Sequence, residues 1–197
     1  MMRMKRVVGV MLLILGWGAM GCGAIKEMAQ FREVTFRVDR VEGVTLDGLQ
    51  AHQLMEGDVS PIDVVRLGLA IKQGDLPLTF DVVLDAYNPP ENGVTARLAE
   101  LSWRVYLEDN PLVEGVLTEG IRILPGEEVE VAVPVTVNVL EVVQNNLPDA
   151  LALARSLAGI GGTPRTLRIE VVPVIETPLG RFRYPEPIVL EQVVGKK

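Results

Sequence analysis

The sequence contains very little cysteine and histidine: Cys22 and His52 are the only residues of their kinds among 197. One cysteine excludes an internal disulfide, and together the two residues cannot build a Cys/His metal cluster. Cys22 also lies beside an N-terminal apolar segment rather than in the globular part, which argues against a Cys-His nucleophile pair. His52 lies in a polar stretch, where a surface position is the simplest interpretation. We expect no metal site in this chain.

Basic residues are also scarce. Lysine and arginine number 19 against 26 aspartates and glutamates, which gives a net charge of −7. Three of the basic residues, Arg3, Lys5 and Arg6, belong to a segment that we expect to be removed, and the rest of the chain then carries −10. Such a surface repels phosphate backbones, so nucleic acid is not an expected partner.

The N-terminal apolar run, Val7–Trp17, is too short to cross a hydrocarbon core of ~30 Å comfortably. It follows the basic start and precedes the small residues of Gly18–Gly21, which is the tripartite pattern of an export signal. We therefore predict that residues 1–21 are a signal peptide.

The end of this segment resembles the lipobox of bacterial lipoproteins, in which a small residue precedes the cysteine that is acylated after cleavage. Gly21-Cys22 matches that pattern. The resemblance implies lipidation at Cys22, a connector over residues 22–33, and a membrane anchor in the cell envelope. Because Gly23 rather than aspartate follows, it also implies the outer membrane, with the domain facing the periplasm. The alternative is an ordinary secretory signal cleaved near Ala19 or Gly21.

Alternating apolar residues predict β-strands in most of the remaining chain. The clearest runs are Leu78–Ala86, Leu101–Leu107 and Val129–Val137, and Pro134 in the last run indicates an edge strand or a bulge. A proline turn at Asn88–Gly93 predicts that the first two runs form a strand and its return. The other predicted strands are Val34–Leu46 with a change of parity after Asp39-Arg40, Leu112–Leu117, Ile121–Leu124, Leu167–Val171 and Phe182–Leu190.

Two segments instead have helical spacing. Ser60 as N-cap and Pro61 at the first position predict a short helix near residues 61–72, with Ile62, Val65 and Leu69 on the side that plugs the sandwich. Between residues 139 and 158 an apolar stripe predicts a helical insertion, kinked or divided at Pro148. Such a stripe usually covers the protein's own core, although it could also be a binding face.

No group of residues suggests catalysis or cofactor binding. Gly159–Gly162 lacks the lysine and hydroxyl residue that a phosphate-binding loop requires, so no cofactor is expected. Outward carboxylates on half-buried strands ordinarily serve solvation, and no histidine is close in sequence to a candidate serine. The weighed candidates are Asp81 with Asp85, the group Glu127, Glu128 and Glu130, and Ser102 or Ser156. We expect catalytic residues to be absent and the protein not to be an enzyme.

Several short motifs resemble the type 2 late-embryogenesis-abundant (LEA2) family, also described as the water-stress and hypersensitive-response (WHy) domain. They are Phe36-Arg37-Val38, Leu76–Phe80 leading into Tyr87-Asn88-Pro89, Trp103–Leu107, Gly115 and Leu124-Pro125-Gly126. The family pattern usually has Asn-Pro-Asn, whereas this chain has Pro90 at the third position. The resemblance covers about residues 34 to 190.

This resemblance implies a mainly β fold, an immunoglobulin- or fibronectin-III-like β-sandwich spanning residues 34–194. Together with the lipobox, it implies a non-enzymatic envelope lipoprotein that presents this domain for interaction or for protection during dehydration stress, and the protective role rests on the resemblance alone. Two alternatives stay open: a carrier that holds a lipid or another apolar ligand against the helical insertion, and an accessory subunit of an envelope transport or assembly machine. Other envelope proteins are accordingly possible partners.

The anchor is directly testable by intact-mass analysis of the protein made with its own signal in a bacterial host. We expect a mature N-terminus at Cys22 that carries acyl mass, and we expect a Cys22→Ala variant to lose that mass. Cleavage elsewhere without lipid would make Cys22 incidental.

Overall fold

The described residues form two antiparallel β-sheets packed face to face, with helices at their edges. A computed structural model describes residues 34–53, 59–92, 95–118, 120–144, 146–177 and 180–195. The predicted signal peptide, Cys22 and the connector lie outside the described residues.

The strands are β1 Thr35–Leu46, β2 Leu49–Gln50, β3 Pro77–Tyr87, β4 Ala96–Leu107, β5 Asn110–Leu117, β6 Ile121–Ile123, β7 Glu128–Asn138, β8 Arg165–Thr177, β9 Gly180–Arg183 and β10 Ile188–Val194. The helices are α1 Pro61–Gln73, α2 Val139–Val142 and α3 Leu147–Leu157, and a short 3-10 helix spans Pro90–Asn92. The first sheet has the order β2-β1-β3-β7. The second has the order β10-β8-β4-β5, with β6 also paired to β4 and β9 to β8.

The core lies between the inner faces of the two sheets. Alternate residues of β3 and β4 supply much of it, because successive side chains of a strand point to opposite faces. Leu78, Val82 and Leu84 from the first sheet are fully buried, as are Val105 and Ile169 from the second. The prediction of a mainly β sandwich is confirmed.

The valine strand is the edge strand of its sheet, as its proline predicted. β7 pairs only with β3, and Val131, Val133 and Val135 point into the core. Pro134 lies opposite Asp81 on the outer face, where an edge strand loses little by lacking one N–H. The parity change in β1 is also confirmed, since its register with β3 shifts between Val38 and Arg40.

The expected return of β3 into the next strand is wrong in its pairing. β3 pairs with β1 and β7, whereas β4 pairs with β5, β6 and β8 in the opposite sheet. The segment after Asn88 is therefore a crossing between sheets. The sequence pattern could not distinguish these cases, because a strand facing another sheet has the same alternation as one paired in a hairpin.

The last predicted strand, Phe182–Leu190, is also wrong in its bounds. The chain forms two strands there, with β9 ending at Arg183 and β10 beginning at Ile188. Pro185 and Pro187 fall in the link between them, where neither has to supply a ladder N–H.

Helix α1 begins as predicted. Ser60 Oγ accepts a hydrogen bond from the Asp63 N–H at 3.2 Å, and Asp63 Oδ2 accepts one from the Ser60 N–H, which completes a capping box. The predicted inward face is wrong, however: Leu67 and Ala70 are buried, whereas the three residues expected to plug the sandwich, Ile62, Val65 and Leu69, are exposed. This helix has apolar residues on every side, so their spacing alone could not identify the buried side.

The helical insertion consists of two pieces, α2 and α3, separated near Pro148 as expected. Leu140, Ala154 and Leu157 are buried in the core cluster, and Leu147 and Leu151 pack partly buried against it. The stripe therefore covers the protein's own core, which was the favoured interpretation.

Gly115 on β5 lies opposite Trp103 on β4, and its lack of a side chain leaves room for the indole. A Cβ at Gly115 would lie 2.4 Å from Trp103 Cζ2. We expect Gly115→Ala to lower the free energy of unfolding by about 1–3 kcal/mol, because extra volume in a packed core forces side chains off their rotamers. Chemical denaturation checks this.

The matched control is Gly68→Ala in α1, where a Cβ would meet nothing within 4 Å. Alanine is favoured over glycine inside a helix by about 0.5–1 kcal/mol, so this variant should be slightly more stable. Equal effects of the two substitutions would contradict the close packing of Trp103 on Gly115.

Candidate functional site

The densest group of charged side chains lies on the outer face of the first sheet. We call it the ion-pair cluster, and it consists of Arg37, Asp39, Arg40, Glu42, Asp85, Glu128 and Glu130. Arg37 lies opposite Asp85 in the β1–β3 register, and Asp85 lies opposite Glu130 in the β3–β7 register. Pairing of the three strands therefore brings together residues that are far apart in sequence.

Two arginines bind most of the cluster's carboxylates. Arg37 Nη2 lies 2.6 Å from Asp85 Oδ2 and 3.2 Å from Glu128 Oε1. Arg40 holds Glu130 with two parallel bonds, Nη1 to Oε1 at 2.9 Å and Nη2 to Oε2 at 3.0 Å. Its Nε also donates to Glu42 Oε2 at 2.7 Å. Such forked pairing fixes the geometry of both partners.

The electrostatics differ between the two cross-strand carboxylates. Asp85 is only 5% exposed, and this burial raises the pKa of its carboxyl above the ordinary value, although the Arg37 guanidinium opposes the shift. The pKa of Glu130 is lowered, chiefly by the hydrogen bonds from Arg40. The pKa of Arg40 is raised by the same bonds, so it stays charged.

Three carboxylates of the cluster have the spacing of a metal site, since Asp39, Asp85 and Glu130 each place an oxygen within 4.8 Å of the others. Hard cations prefer such oxygens. Here the guanidiniums of Arg37 and Arg40 already bond to these carboxylates and supply positive charge. The donor set therefore fits ion pairing better than cation binding.

The structure brings some of the acidic residues that were considered for catalysis close together and places others apart. Asp85, Glu128 and Glu130 meet in the cluster. Asp81 stands four residues from Asp85 on the same strand, roughly 13 Å away at the rise of a β-strand. Glu127 instead accepts the Leu124 N–H at 2.7 Å and closes a turn.

The two serines and His52 occupy unrelated places. Ser156 is buried, and its hydroxyl lies within hydrogen-bond distance of two carbonyls, that of Ala152 at 3.0 Å and that of Thr163 at 2.9 Å, so it ties α3 to the following loop. Ser102 lies half-buried on the second sheet, and His52 is exposed after β2.

A second polar group, which sequence reasoning missed, lies on the outer face of the second sheet. The Arg168 guanidinium sits 4.0 Å from the ring centroid of Tyr106, and it pairs with Glu170 at 2.7 Å. The Tyr106 hydroxyl donates to Glu170 at 3.0 Å. The sequence shows that Arg104 alternates with Tyr106, and Arg168 with Glu170, along two strands. Only the β4–β8 register brings the two pairs together.

A cleft of about 750 Å³ opens between the edge strands β5 and β7 beside α2. Its lining is largely polar and includes Glu108, Asn138, Glu141 and Arg165, with Leu112 among the apolar members. A ligand that is entirely apolar would leave those polar groups without water or partners. The cleft therefore suits a polar small molecule better than an acyl chain.

Two pairs of the motifs singled out in the sequence meet in space. Asn88 is fully buried, its side chain donates to the Ile123 carbonyl at 2.9 Å, and its own carbonyl accepts the Gly126 N–H at 2.6 Å. This joins the Asn88-Pro89 motif to the Leu124-Pro125-Gly126 turn. The second pair is Trp103 and Gly115, where the indole packs directly on the glycine.

The described helices include none long and apolar enough to cross a membrane. No family model matches the chain, and none of the curated protein sequences matches it. Solved structures similar to it include a protein from Archaeoglobus fulgidus, at 10% identity and a TM-score of 0.38, covering 61% of this chain and 86% of that one.

Two further solved structures are similar. AT1g01470 from Arabidopsis thaliana has 12% identity and a TM-score of 0.42, and the match covers 60% of this chain and 70% of that one. At2g46140.1, a candidate late embryogenesis abundant protein, has 13% identity and a TM-score of 0.44, with 96% and 86% covered. With TM-scores below 0.5, these likenesses do not define a family.

The ion-pair cluster gives two opposite pH dependences. The raised pKa of Asp85 adds stability that is present below its ordinary value of 3.8 and lost as the pH rises through the folded-state pKa. The lowered pKa of Glu130 adds stability that is present above 4.5 and lost as the pH falls. As the pH falls, the free energy of unfolding of Asp85→Asn should therefore decrease relative to that of wild type. The free energy of unfolding of Glu130→Gln should instead approach the wild-type value.

Urea denaturation of the wild type and the two variants at a series of pH values between 3 and 7 measures these differences. Each variant serves as the control for the other, because both remove one carboxylate charge from the same sheet face. Parallel curves for the two would contradict the opposite pKa shifts.

Proposed function

We propose that the chain is a non-enzymatic lipoprotein of the bacterial cell envelope that presents a LEA2-like β-sandwich from a lipidated Cys22. The signal peptide of residues 1–21 and the Gly21-Cys22 lipobox support the anchor. The proposed location is the outer membrane, with the domain in the periplasm.

The observation that carries the LEA2-like assignment is the meeting of its motifs. Asn88-Pro89 and Leu124-Pro125-Gly126 are more than 30 residues apart in sequence, yet the Asn88 carbonyl accepts the Gly126 N–H, and the Asn88 side chain donates to the carbonyl of Ile123 just before the second motif. Trp103 and Gly115 likewise form one packed pair. Motifs that support each other in the fold are better evidence of a shared domain type than isolated short matches are.

The non-enzymatic role is supported by the state of the candidate residues. The gathered carboxylates are bound to arginines, which leaves no free acid and base side by side. Ser156 is used inside the fold. We therefore propose a role in interaction, or in protecting other envelope components during dehydration, where an extensive charged surface helps to retain solubility.

The carrier of an apolar ligand is less well supported. The helical insertion is packed against the core, and the cleft beside α2 has a largely polar lining. Native mass spectrometry distinguishes this alternative, since a carrier purified from cells should retain lipid beyond the anchor. An accessory subunit would instead bring a defined envelope protein with it on pull-down.

The stress role is tested in a deletion strain complemented with wild type or with Cys22→Ala. We expect the deletion strain to survive drying and rehydration less well than its parent, and only the wild-type gene to restore survival, because the domain must be held at the membrane. Membrane fractionation of both complemented strains checks where the protein resides. A deletion strain that dries and recovers like its parent would refute the protective role.

A further inference from the structure

Helix α1 displays an aliphatic surface to solvent that the fold does not use. Ile62, Val65 and Leu69 are exposed by 79%, 62% and 52%, and we call these three residues the apolar ridge. Ile62, Val65 and Leu69 recur at spacings of three and four, which places them on one side of the helix. Leu67 and Ala70 bury the opposite side.

The helix is held firmly in this orientation. The Ser60–Asp63 capping box fixes its start, and Gly74 ends it in a left-handed conformation with φ 75°. Arg66 Nε bonds Asp47 Oδ2 at 2.9 Å, which ties the helix to the turn between β1 and β2. The ridge therefore points outward as a fixed feature of the fold.

The size and composition of the ridge argue against another protein as its occupant. Three aliphatic side chains expose on the order of a few hundred Å², whereas a stable interface needs about 800 Å² from each partner. A second copy of this chain packed helix against helix would bury too little surface to form a stable dimer. The ridge also lacks the aromatic residues and free arginines that anchor protein interfaces.

A lipid bilayer suits a narrow convex ridge better, because inserted side chains are covered by acyl chains without a complementary surface. The helix itself carries two basic residues, Arg66 and Lys72, against one acidic residue, Asp63, in a chain that is otherwise strongly acidic. A bilayer is also within reach of any domain that is tethered to it by a lipid.

The connector is long enough for such contact. Helix α1 leads into β3, and the start of β3 lies beside Leu46 at the end of β1. The chain enters the sandwich at Val34, which precedes the start of β1. The twelve residues of β1 span roughly 40 Å. The twelve residue steps from Cys22 to Val34 can also extend to roughly 40 Å. The ridge can thus touch the membrane that holds Cys22, even if β1 is perpendicular to the membrane and Val34 lies at its distant end.

We propose that the apolar ridge inserts into the interface of the bilayer to which the chain is anchored, so that the domain rests on the membrane through α1. This inference rests on the lipid anchor of the proposed function. It adds a second, reversible contact that fixes which face of the sandwich is presented to the periplasm.

The test places an environment-sensitive fluorophore at Leu69→Cys in the mature lipoprotein, reconstituted into phosphatidylcholine–phosphatidylethanolamine vesicles. Lipidation blocks the thiol of Cys22, so the introduced cysteine is the single labelling site. The matched control is Val116→Cys on β5, which has nearly the same exposure, 54%, but lies on the other sheet. A further variant adds Ile62→Ser and Val65→Ser to Leu69→Cys.

We expect a blue shift and quenching by spin-labelled lipid at residue 69, water-like emission at residue 116, and loss of both effects in the serine variant. Water-like emission at residue 69 would overturn the proposal. A blue shift in unlipidated Cys22→Ser protein without vesicles, growing with protein concentration, would assign the ridge to a second copy and also overturn the proposal.

Intact mass of the same preparations reports the anchor independently. If the mass shows no acyl chain, the anchor fails, and the ridge is then tested by adding the unlipidated protein, with Cys22→Ser, to the same vesicles. Binding at residue 69 alone would sustain the ridge without the anchor, and its absence would refute the ridge as well.

Discussion

Burial of the two inner sheet faces against each other is the constraint on which the rest of this structure depends. With one cysteine in the chain there is no internal disulfide to restrict the unfolded state, so stability comes from packed aliphatic side chains such as Leu84, Val105 and Ile169. That packing fixes which residues face outward. It also leaves no room for a side chain at Gly115 beside the indole of Trp103.

Because the inner faces form the core, the groups of charged and polar side chains lie on the outer faces of the two sheets. On the first sheet, Arg37 and Arg40 order carboxylates from three neighbouring strands. On the second, Tyr106, Arg168 and Glu170 form a similar group. In both groups the carboxylates are paired with arginines, which suits a durable surface better than a reactive site. The apolar ridge of α1 is the contrasting region, and we propose that its exposure serves contact with the membrane.

Much of the fold followed from local patterns. Alternation predicted the valine strand, Pro134 predicted its edge position, and Ser60 with Pro61 predicted the start of α1. The errors share one cause, which is that a local pattern shows that a face is apolar but does not identify what covers it. β3 and β4 were expected to pair, yet they lie in opposite sheets, and the ridge was expected to be buried, yet it is exposed.

The sequence alone determined the charge balance, the lack of a disulfide, the candidate anchor at Cys22 and the β-rich character, because each follows from composition or from neighbours along the chain. Only the tertiary structure decided that Asp85 lies between Arg37 and Glu130, and that Asn88 reaches the turn at Gly126. It also decided which side of α1 meets the core. These contacts depend on strand register and on sheet packing, which bring together residues that no local pattern connects.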